Sequence, residues 1–567
     1  MTRRRGYPSL PVPASLPSSP RVAVVSLGCA KNLVDTEIML GALLQAGLAI
    51  TNDPRRAAVV IVNTCSFIDE AQAESVDAIL ECAAMRDACR RTKDQGLIVA
   101  GCLPQRFRDE LPRLLPEVDA FIGVDQVTSV AETVRLVMAR RAERQRQEDQ
   151  PGRTAQSAAG GVRVRRQSRT LPARGRPANR QARPAPPVPL LQVHRRPTYV
   201  PDYATARFRL TPRHFAYVKI AEGCNHPCSF CTIPRLRGRH RSRLPADIVE
   251  EARRLLAEGV KELNLVSQDA TYYGRDLHRQ TGPVSKAAEQ TRAWRVEAGP
   301  GPTLSALLEQ LQALPGDFWI RLLYTHPAHW TDRLIQTIAD CPKVARYADI
   351  PLQHIDGLVL QRMRRETSSR HLVDLLARIR AGIPGIALRT TFIVGFPGET
   401  ERQFKRLLAF VREARFERLG VFTYSREKGT VAGKMADQLP DAVKRQRRDQ
   451  VMAAQLQVSR EFAASQCGRT LRVLVETAAD DQTLQRAGVA SWEHGLLRDG
   501  REAAVPLSST AVAGGRGPGS RYLVARGEAD APDIDGRVYV RGLARIGEFA
   551  QAQVIGHADY DLIAKVL

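Results

Sequence analysis

Three cysteines spaced CxxxCxxC in Glu222-Gly-Cys-Asn-His-Pro-Cys-Ser-Phe-Cys231 constrain this chain more than any other feature. The stretch follows a strand-length apolar run, Tyr217 to Ile220, and carries Gly, Asn and Pro, which turn a backbone rather than extend it. Three thiolates can hold three irons of a 4Fe-4S cluster, whereas a complete protein-bound set takes four, so one iron is left open to a small molecule. Zinc is the alternative. Structural zinc takes four ligands, usually from paired CxxC knuckles, and Cys231 has no such partner downstream; His226 or His240 would have to complete the set. A three-cysteine loop directly after a strand, at the opening of a βα repeat, suits the cluster better.

The repeat runs from Ala216 to about Ala436. Strand candidates Tyr217 to Ile220, Glu262 to Val266, Trp319 to Leu323, the Ala348 to Ile350 strand end, Ala387 to Val394 and Arg418 to Tyr424 alternate with helical stretches. Six βα units fit a partial (β/α) barrel, although the spacing alone also allows an open sheet. Upstream, Arg21 to Ser26, Ala57 to Val62 and Gly96 to Ala100 alternate with helical patterns, as in a parallel α/β sheet. Downstream of a polar helical stretch, Leu471 to Glu476, Gly536 to Val540 and Phe549 to Leu567 have period-two patterning, which suits a small antiparallel β-barrel. The expected class is therefore multidomain α/β. Its parts are a tail (1–20), an N-terminal α/β domain (21–140), a linker (141–210), the barrel (211–440), a connecting helix (441–467) and a terminal β-barrel (468–567) with an insertion at about 477–520. His278 to Pro302 reads as a loop insertion.

At 567 residues the chain has room for two or three cores. No stretch approaches the roughly 18 apolar residues of a membrane span, so no membrane partner is expected. The Arg- and Ser-containing start lacks the apolar segment of a secretory signal; it reads as a disordered tail, with a transit peptide as the alternative, and a cytoplasmic protein is expected. The net charge of +24 invites a nucleic-acid reading, but eleven arginines and no Asp, Glu or Lys fall between Gln150 and Val200. Much of the basicity therefore belongs to one Arg- and Pro-rich segment that reads as a solvated linker.

Ten cysteines are too sparse for a disulfide scaffold. Cys29, Cys65 and Cys102 are 36 and 37 residues apart, too far for a local motif, yet each falls at or just after the end of a strand of the first sheet. Ligand-binding groups gather beyond such strand ends, so these three are candidates for a second cluster. Cys82, Cys89, Cys341 and Cys467 read as structural.

CNHPCSFC, with aromatic Phe230 before its last cysteine, matches the radical S-adenosylmethionine (SAM) signature. The resemblance implies that SAM chelates the open iron of the Cys224, Cys228 and Cys231 cluster, and that one electron splits its sulfonium to give a hydrogen-abstracting 5'-deoxyadenosyl radical. Ser26-Leu-Gly-Cys-Ala-Lys-Asn-Leu-Val-Asp-Thr-Glu37, Val62-Asn-Thr-Cys-Ser-Phe-Ile68 and Ala100-Gly-Cys-Leu103 resemble the N-terminal domain of the methylthiotransferases. With the barrel and a TRAM-like terminal β-barrel, that resemblance covers nearly the whole folded chain. It implies a second 4Fe-4S cluster on Cys29, Cys65 and Cys102, whose open iron carries the sulfide that becomes methylated, and two SAM molecules spent per product.

Two branches of the family differ in substrate: an adenosine of transfer RNA, or an aspartate of small-subunit ribosomal protein S-12. Gly28-Cys-Ala-Lys-Asn-Leu-Val-Asp35, Leu265-Val-Ser-Gln-Asp269, Ala348 to His354, Leu388 to Glu399 and Gly420 to Arg426 look like the ribosomal-protein branch, with Ala30 where Pro is usual. The tRNA branch reads Gln-Met-Asn after its first cysteine. The resemblance thus implies methylthio transfer to the aspartate β-carbon, with S-12 as partner, an electron donor, a sulfur source, and a TRAM-like barrel that grips the protein substrate. Phe230, Gln268 and Gly395 are candidate SAM contacts, Gly395 equally a tight-turn residue, and His354 reads as a core histidine. The rival from another class is an RNA-binding protein with a structural metal.

Overall fold

The computed structural model describes residues 19–88, 94–148, 188–277, 301–479 and 522–567. Its first layer is a six-stranded parallel sheet in the order β2-β1-β3-β4-β5-β6, built from β1 (Arg21–Ser26), β2 (Ala49–Ile50), β3 (Val59–Thr64), β4 (Gly96–Gly101), β5 (Ala120–Ile122) and β6 (Leu190–Gln192). Continuous apolar runs such as Val59-Val-Ile-Val62 form the middle strands because both faces are covered. Helix α1 (Ala30–Gln45) and the helix Val130–Glu148 lie on one face and α2 (Asp69–Asp87) on the other.

Two boundaries differ from the sequence expectation. The span 141–210 is not all linker: the helix from Val130 runs on to Glu148, and β6 pairs in parallel with β5 as an edge strand of the first sheet. Arg207 then ties the approach to the next domain, donating to Glu37 Oε2 on α1 at 2.5 Å and to Glu251 Oε1 at 2.6 Å. The run Leu190-Leu-Gln-Val193 is short and flanked by Pro and Arg, so segment composition hid it. The Arg-rich remainder, 149–187, lies outside the described residues, as do Cys89 and residues 278–300.

The second domain sets β7 (Phe215–Lys219), β10 (Glu262–Val266) and β11 (Trp319–Leu322) beside β12 (Tyr347–Asp349), β13 (Ala387–Val394) and β14 (Arg418–Thr423). All pairings are parallel, and the bridge Ile320–Val344 joins the two three-stranded halves into a partial barrel. A short hairpin, β8 (Ala221–Glu222) and β9 (Arg241–Ser242), brackets the first cysteine loop. The outer helices begin where a hydroxyl can accept an orphan N–H: Thr303, Thr331, Ser368 and Thr400, the last in a reciprocal box with Gln403. Helix α1 of the first domain packs on β7, so its apolar side chains and Phe215, Tyr217 and Tyr347 share one core.

The helix Asp441–Ser465 leads to a closed five-stranded barrel in the order β15-β16-β17-β19-β18, from β15 (Thr470–Ala478), β16 (Tyr522–Gly527), β17 (Val538–Arg541), β18 (Phe549–His557) and β19 (Leu562–Val566). It is antiparallel apart from β17 and β19, which run in parallel, and β16 follows the insertion. Residues 477 and 478 still belong to β15, whereas 480–521 lie outside the described residues. The terminal barrel plugs the N-terminal mouth of the central one. Arg526 pairs with Glu262 at the start of β10, Arg418 with Asp530, and Tyr347 Oη donates to Asp535 Oδ2 at 2.6 Å. The opposite end, beyond the strand carboxyl termini, is left for the cysteines. Among the described residues no helix is long and apolar enough to cross a membrane.

Candidate active site

A cavity of about 300 Å³ lies between the strand ends of the first sheet and those of the partial barrel. Cys29, Cys65 and Cys102 line it from one side and Cys224, Cys228 and Cys231 from the other. None of the nine described cysteines is in a disulfide.

Backbone geometry brings the first three together. Cys29 precedes α1 after β1, Cys65 follows β3, and Cys102 opens α3 (Cys102–Arg106) directly after β4. Gly28 has φ +87°, and a Cβ there would stand 2.6 Å from Cys65 Cβ, so only glycine lets these two cysteine loops approach. Gly101, at φ +94°, meets Asn63 and Thr64 in the same way. Polar side chains lock the turns: Asn32 Nδ2 donates to Leu27 O at 2.7 Å, Asn63 Nδ2 to Asn32 O at 2.9 Å, and Ser75 Oγ to Cys65 O at 2.8 Å.

The second triplet sits in a loop pinned on all sides. Cys224 N donates to Gly238 O, Ser229 N to Met363 O, and Ala432 N to Ser229 O. Arg365 reaches Cys228 Sγ at 3.7 Å and Pro351 O at 2.8 Å. Burial pushes the Cys224 thiol up to about 12 and raises Cys231 further. Burial also raises Cys102, Arg237 pulls it back, and neighbouring Cys29 adds to the rise. Such thiols ionise only against positive charge, which a bound metal would provide.

Each triplet offers three thiols, the number that would leave one iron of a 4Fe-4S cluster open. His226, in the cysteine loop, has both ring nitrogens taken by carboxylates, Nε2 with Asp269 at 2.8 Å and Nδ1 with Glu366 at 2.5 Å. His240 faces Ser242 and is absent from the cavity wall. Neither histidine completes a fourth-ligand set with the thiols.

Between the triplets runs a buried ionic network that sequence reasoning missed. Arg237 Nη2 donates to Cys102 Sγ and to Asn32 Oδ1, both at 3.3 Å, and its Nη1 to Asp35 Oδ2 at 2.7 Å. Lys219 joins Asp35 at 2.5 Å to Glu222 at 2.7 Å. Burial alone would raise Glu222, but Lys219 and Arg237 hold its carboxyl at about 2. The second missed feature groups His226, Asp269, His326 and His329, with His326 stacked on His226 at 3.7 Å and His329 Nδ1 2.8 Å from Asp269. Its traces in sequence were His226 inside the cysteine loop and Thr325-His-Pro-Ala-His329 after a strand.

Phe230 and Gln268 line the cavity, and Gln268 also bridges Gly223 N and Glu222 Oε1, each at 2.7 Å. Gly395 does not line it: it turns at φ +73° against Lys444, its N–H bonded to Glu399. His354 is fully buried and accepts from Asp356 N. Cys82 and Cys341 are buried, whereas Cys467 is exposed.

Residues 21–123 match the Uncharacterized protein family UPF0004, 218–411 the Radical SAM superfamily and 516–567 the TRAM domain. The chain is 50% identical over 545 residues to the ribosomal protein uS12 methylthiotransferase RimO of Opitutus terrae, covering 96% of each chain. It is 43% identical to the same-named protein of Akkermansia muciniphila (96% of this chain, 99% of that one) and 39% identical to that of Geobacter sulfurreducens (96% and 98%). Matching relatives along nearly its whole length, with a Radical SAM domain around the barrel cysteine loop, the chain belongs to the RimO family of radical-SAM methylthiotransferases.

Proposed function

We propose that this protein adds a methylthio group to the β-carbon of an aspartate in ribosomal protein uS12. Cys224, Cys228 and Cys231 would hold one 4Fe-4S cluster, Cys29, Cys65 and Cys102 a second, and SAM would bind at the first. The observation that carries the reading is that both triplets line one cavity. When bound, the clusters and SAM supply the radical that removes hydrogen and the sulfur and methyl that replace it.

The chain's own residues hold the two sites in register. Arg237, a barrel residue, offers an N–H to a thiol of the other domain, so the network with Asp35, Lys219 and Glu222 fixes one triplet relative to the other. Gln268 holds the start of the cysteine loop through the Gly223 N–H. On the far wall, Arg106 Nη2 pairs with Glu427 Oε2 at 2.5 Å, and Gln72 donates to the same oxygen at 3.3 Å, tying the end of β14 to the first domain. Phe67 and Phe230 give the cavity apolar surface. Turnover would draw on an electron donor and a sulfur source, and a ribosomal substrate supports a cytoplasmic protein.

Mass spectrometry tests the reading. Reconstituted enzyme is incubated anaerobically with SAM, sulfide, a strong reductant, uS12 and bulk tRNA. A methylthio gain on the uS12 aspartate is expected, while a gain only on tRNA adenosine would keep the chemistry and overturn the substrate.

A further inference from the structure

The charged groups of the cavity wall are nearly all accounted for. Arg237 is matched by Asp35, Arg389 by Asp349 at 2.8 Å, His226 by Asp269 and Glu366, and Glu427 by Arg106. Arg365 has no carboxylate in ion-pair contact among the described residues, but it donates to Cys228 Sγ and Pro351 O. Lys31 differs. It lines the same cavity, is 9% exposed, and has no carboxylate within ion-pair distance among the described residues. Its ammonium instead lies 3.1 Å from the centroid of the Tyr324 ring.

That placement is costly in three ways. A buried ammonium without a carboxylate partner loses hydration that one aromatic face replaces only in part. Lys31 occupies the first turn of α1, which has no acidic residue, so the cation adds to the positive end of the helix dipole. Tyr324 holds its ring there from a left-handed backbone, φ 61°, fixed by its N–H to Asp349 Oδ2 at 2.9 Å. An ammonium, a helix N-terminus and a strained aromatic residue converge on a place that suits an arriving anion.

We propose that Lys31 binds the side-chain carboxylate of the substrate aspartate and so sets the β-carbon toward the Cys29, Cys65 and Cys102 site. The inference rests on the function proposed above. In that reaction the C–H to be replaced is on the carbon bonded to the carboxylate, so holding the carboxylate positions the reacting carbon. Lys31 is two residues from Cys29 on the sulfur-bearing side, whereas the SAM carboxylate belongs with the open iron of the barrel triplet. The same contact gives specificity: a neutral side chain would leave the ammonium buried and unmatched, which costs more than the contact gains.

The test is a substrate cycle with the cluster-loaded enzyme, wild type and Lys31→Met, against uS12 carrying either its native aspartate or asparagine there. Binding of uS12 is followed by fluorescence anisotropy and transfer by mass spectrometry, with iron content and SAM affinity as controls. For the wild type, Asp→Asn in uS12 is expected to lower affinity about 10- to 100-fold, the worth of one charge-assisted hydrogen bond to a buried group. In Lys31→Met the same change should cost less than about twofold, and Lys31→Arg should restore part of the discrimination. Equal Asp-to-Asn losses in both enzymes would overturn the proposal while leaving the function intact. So would a Lys31→Met enzyme that loses SAM affinity or iron, which would make Lys31 a cofactor or structural residue. If the wild type transfers nothing to uS12, the function itself fails and the proposal with it.

Discussion

Arg237→Met removes the side chain that joins the two halves of the cavity. The guanidinium is 2% exposed and contacts Asp35, Glu222, Asn32 and Cys102 at 2.7 to 3.4 Å. Lys219 and Arg237 together balance Asp35 and Glu222, so the variant leaves two buried carboxylates facing one cation. Removing one partner of a buried pair costs about 3–5 kcal/mol, mostly because the remaining charge is stranded. The assay is urea unfolding of the metal-free chain followed by near-ultraviolet circular dichroism, with Asp35→Asn and the double variant beside it. The double variant should lose less than the sum of the singles by at least about 1 kcal/mol, because both act on one network. A loss below about 1 kcal/mol for Arg237→Met, or strict additivity with Asp35→Asn, would refute the reasoning.

Gly28→Ala should lower the iron bound by the N-terminal triplet, measured by colorimetric iron content, because its φ of +87° and the 2.6 Å approach to Cys65 Cβ leave no room for a methyl; an unchanged content would contradict this. Glu476 gives a pH dependence. Burial would raise its carboxyl, but Arg526 and His214 hold it at about 2, below the usual 4.5. Its folded value is depressed, so its contribution is complete above about pH 4.5 and is lost as pH falls toward 2. It is worth at most about 3 kcal/mol at neutral pH, trimmed where its edge meets solvent. Glu476→Gln should therefore be less stable than the wild-type metal-free chain at pH 7 and equal to it near pH 2, by chemical denaturation. Arg106→Met should loosen the wall at Glu427 and raise solvent access to the cavity, read as faster hydrogen exchange in the 425–432 segment.

Much of this was legible in the sequence because it rests on local pattern. Ala387 to Val394 reads as a strand from its apolar run and is one, and Cys29, Cys65 and Cys102 could be grouped because each follows a run that ends in a turn. The cavity's charges were not legible. Asp35, Lys219, Glu222 and Arg237 are up to 202 residues apart in sequence, and each alone looks like an ordinary surface charge; only the docking of α1 on β7 buries them together. Lys31 lies inside the Gly28–Asp35 motif, but its environment shows only once Tyr324, which follows β11, is set beneath it. β6 was missed for the opposite reason, since three residues cannot outvote the Arg- and Pro-rich composition around them. Gly395 reads equally as a tight turn and as a cofactor contact from sequence, and its left-handed turn lies against Lys444 of the helix Asp441–Ser465.

The most direct measurement of two cooperating three-thiolate centres compares two triple variants, Cys29→Ala/Cys65→Ala/Cys102→Ala and Cys224→Ala/Cys228→Ala/Cys231→Ala, for 5'-deoxyadenosine release and for methylthio transfer to uS12. The first should keep release, hold about half the wild-type iron and transfer nothing, and the second should lose both activities. Methylthio product from the first variant would contradict a separate centre on Cys29, Cys65 and Cys102.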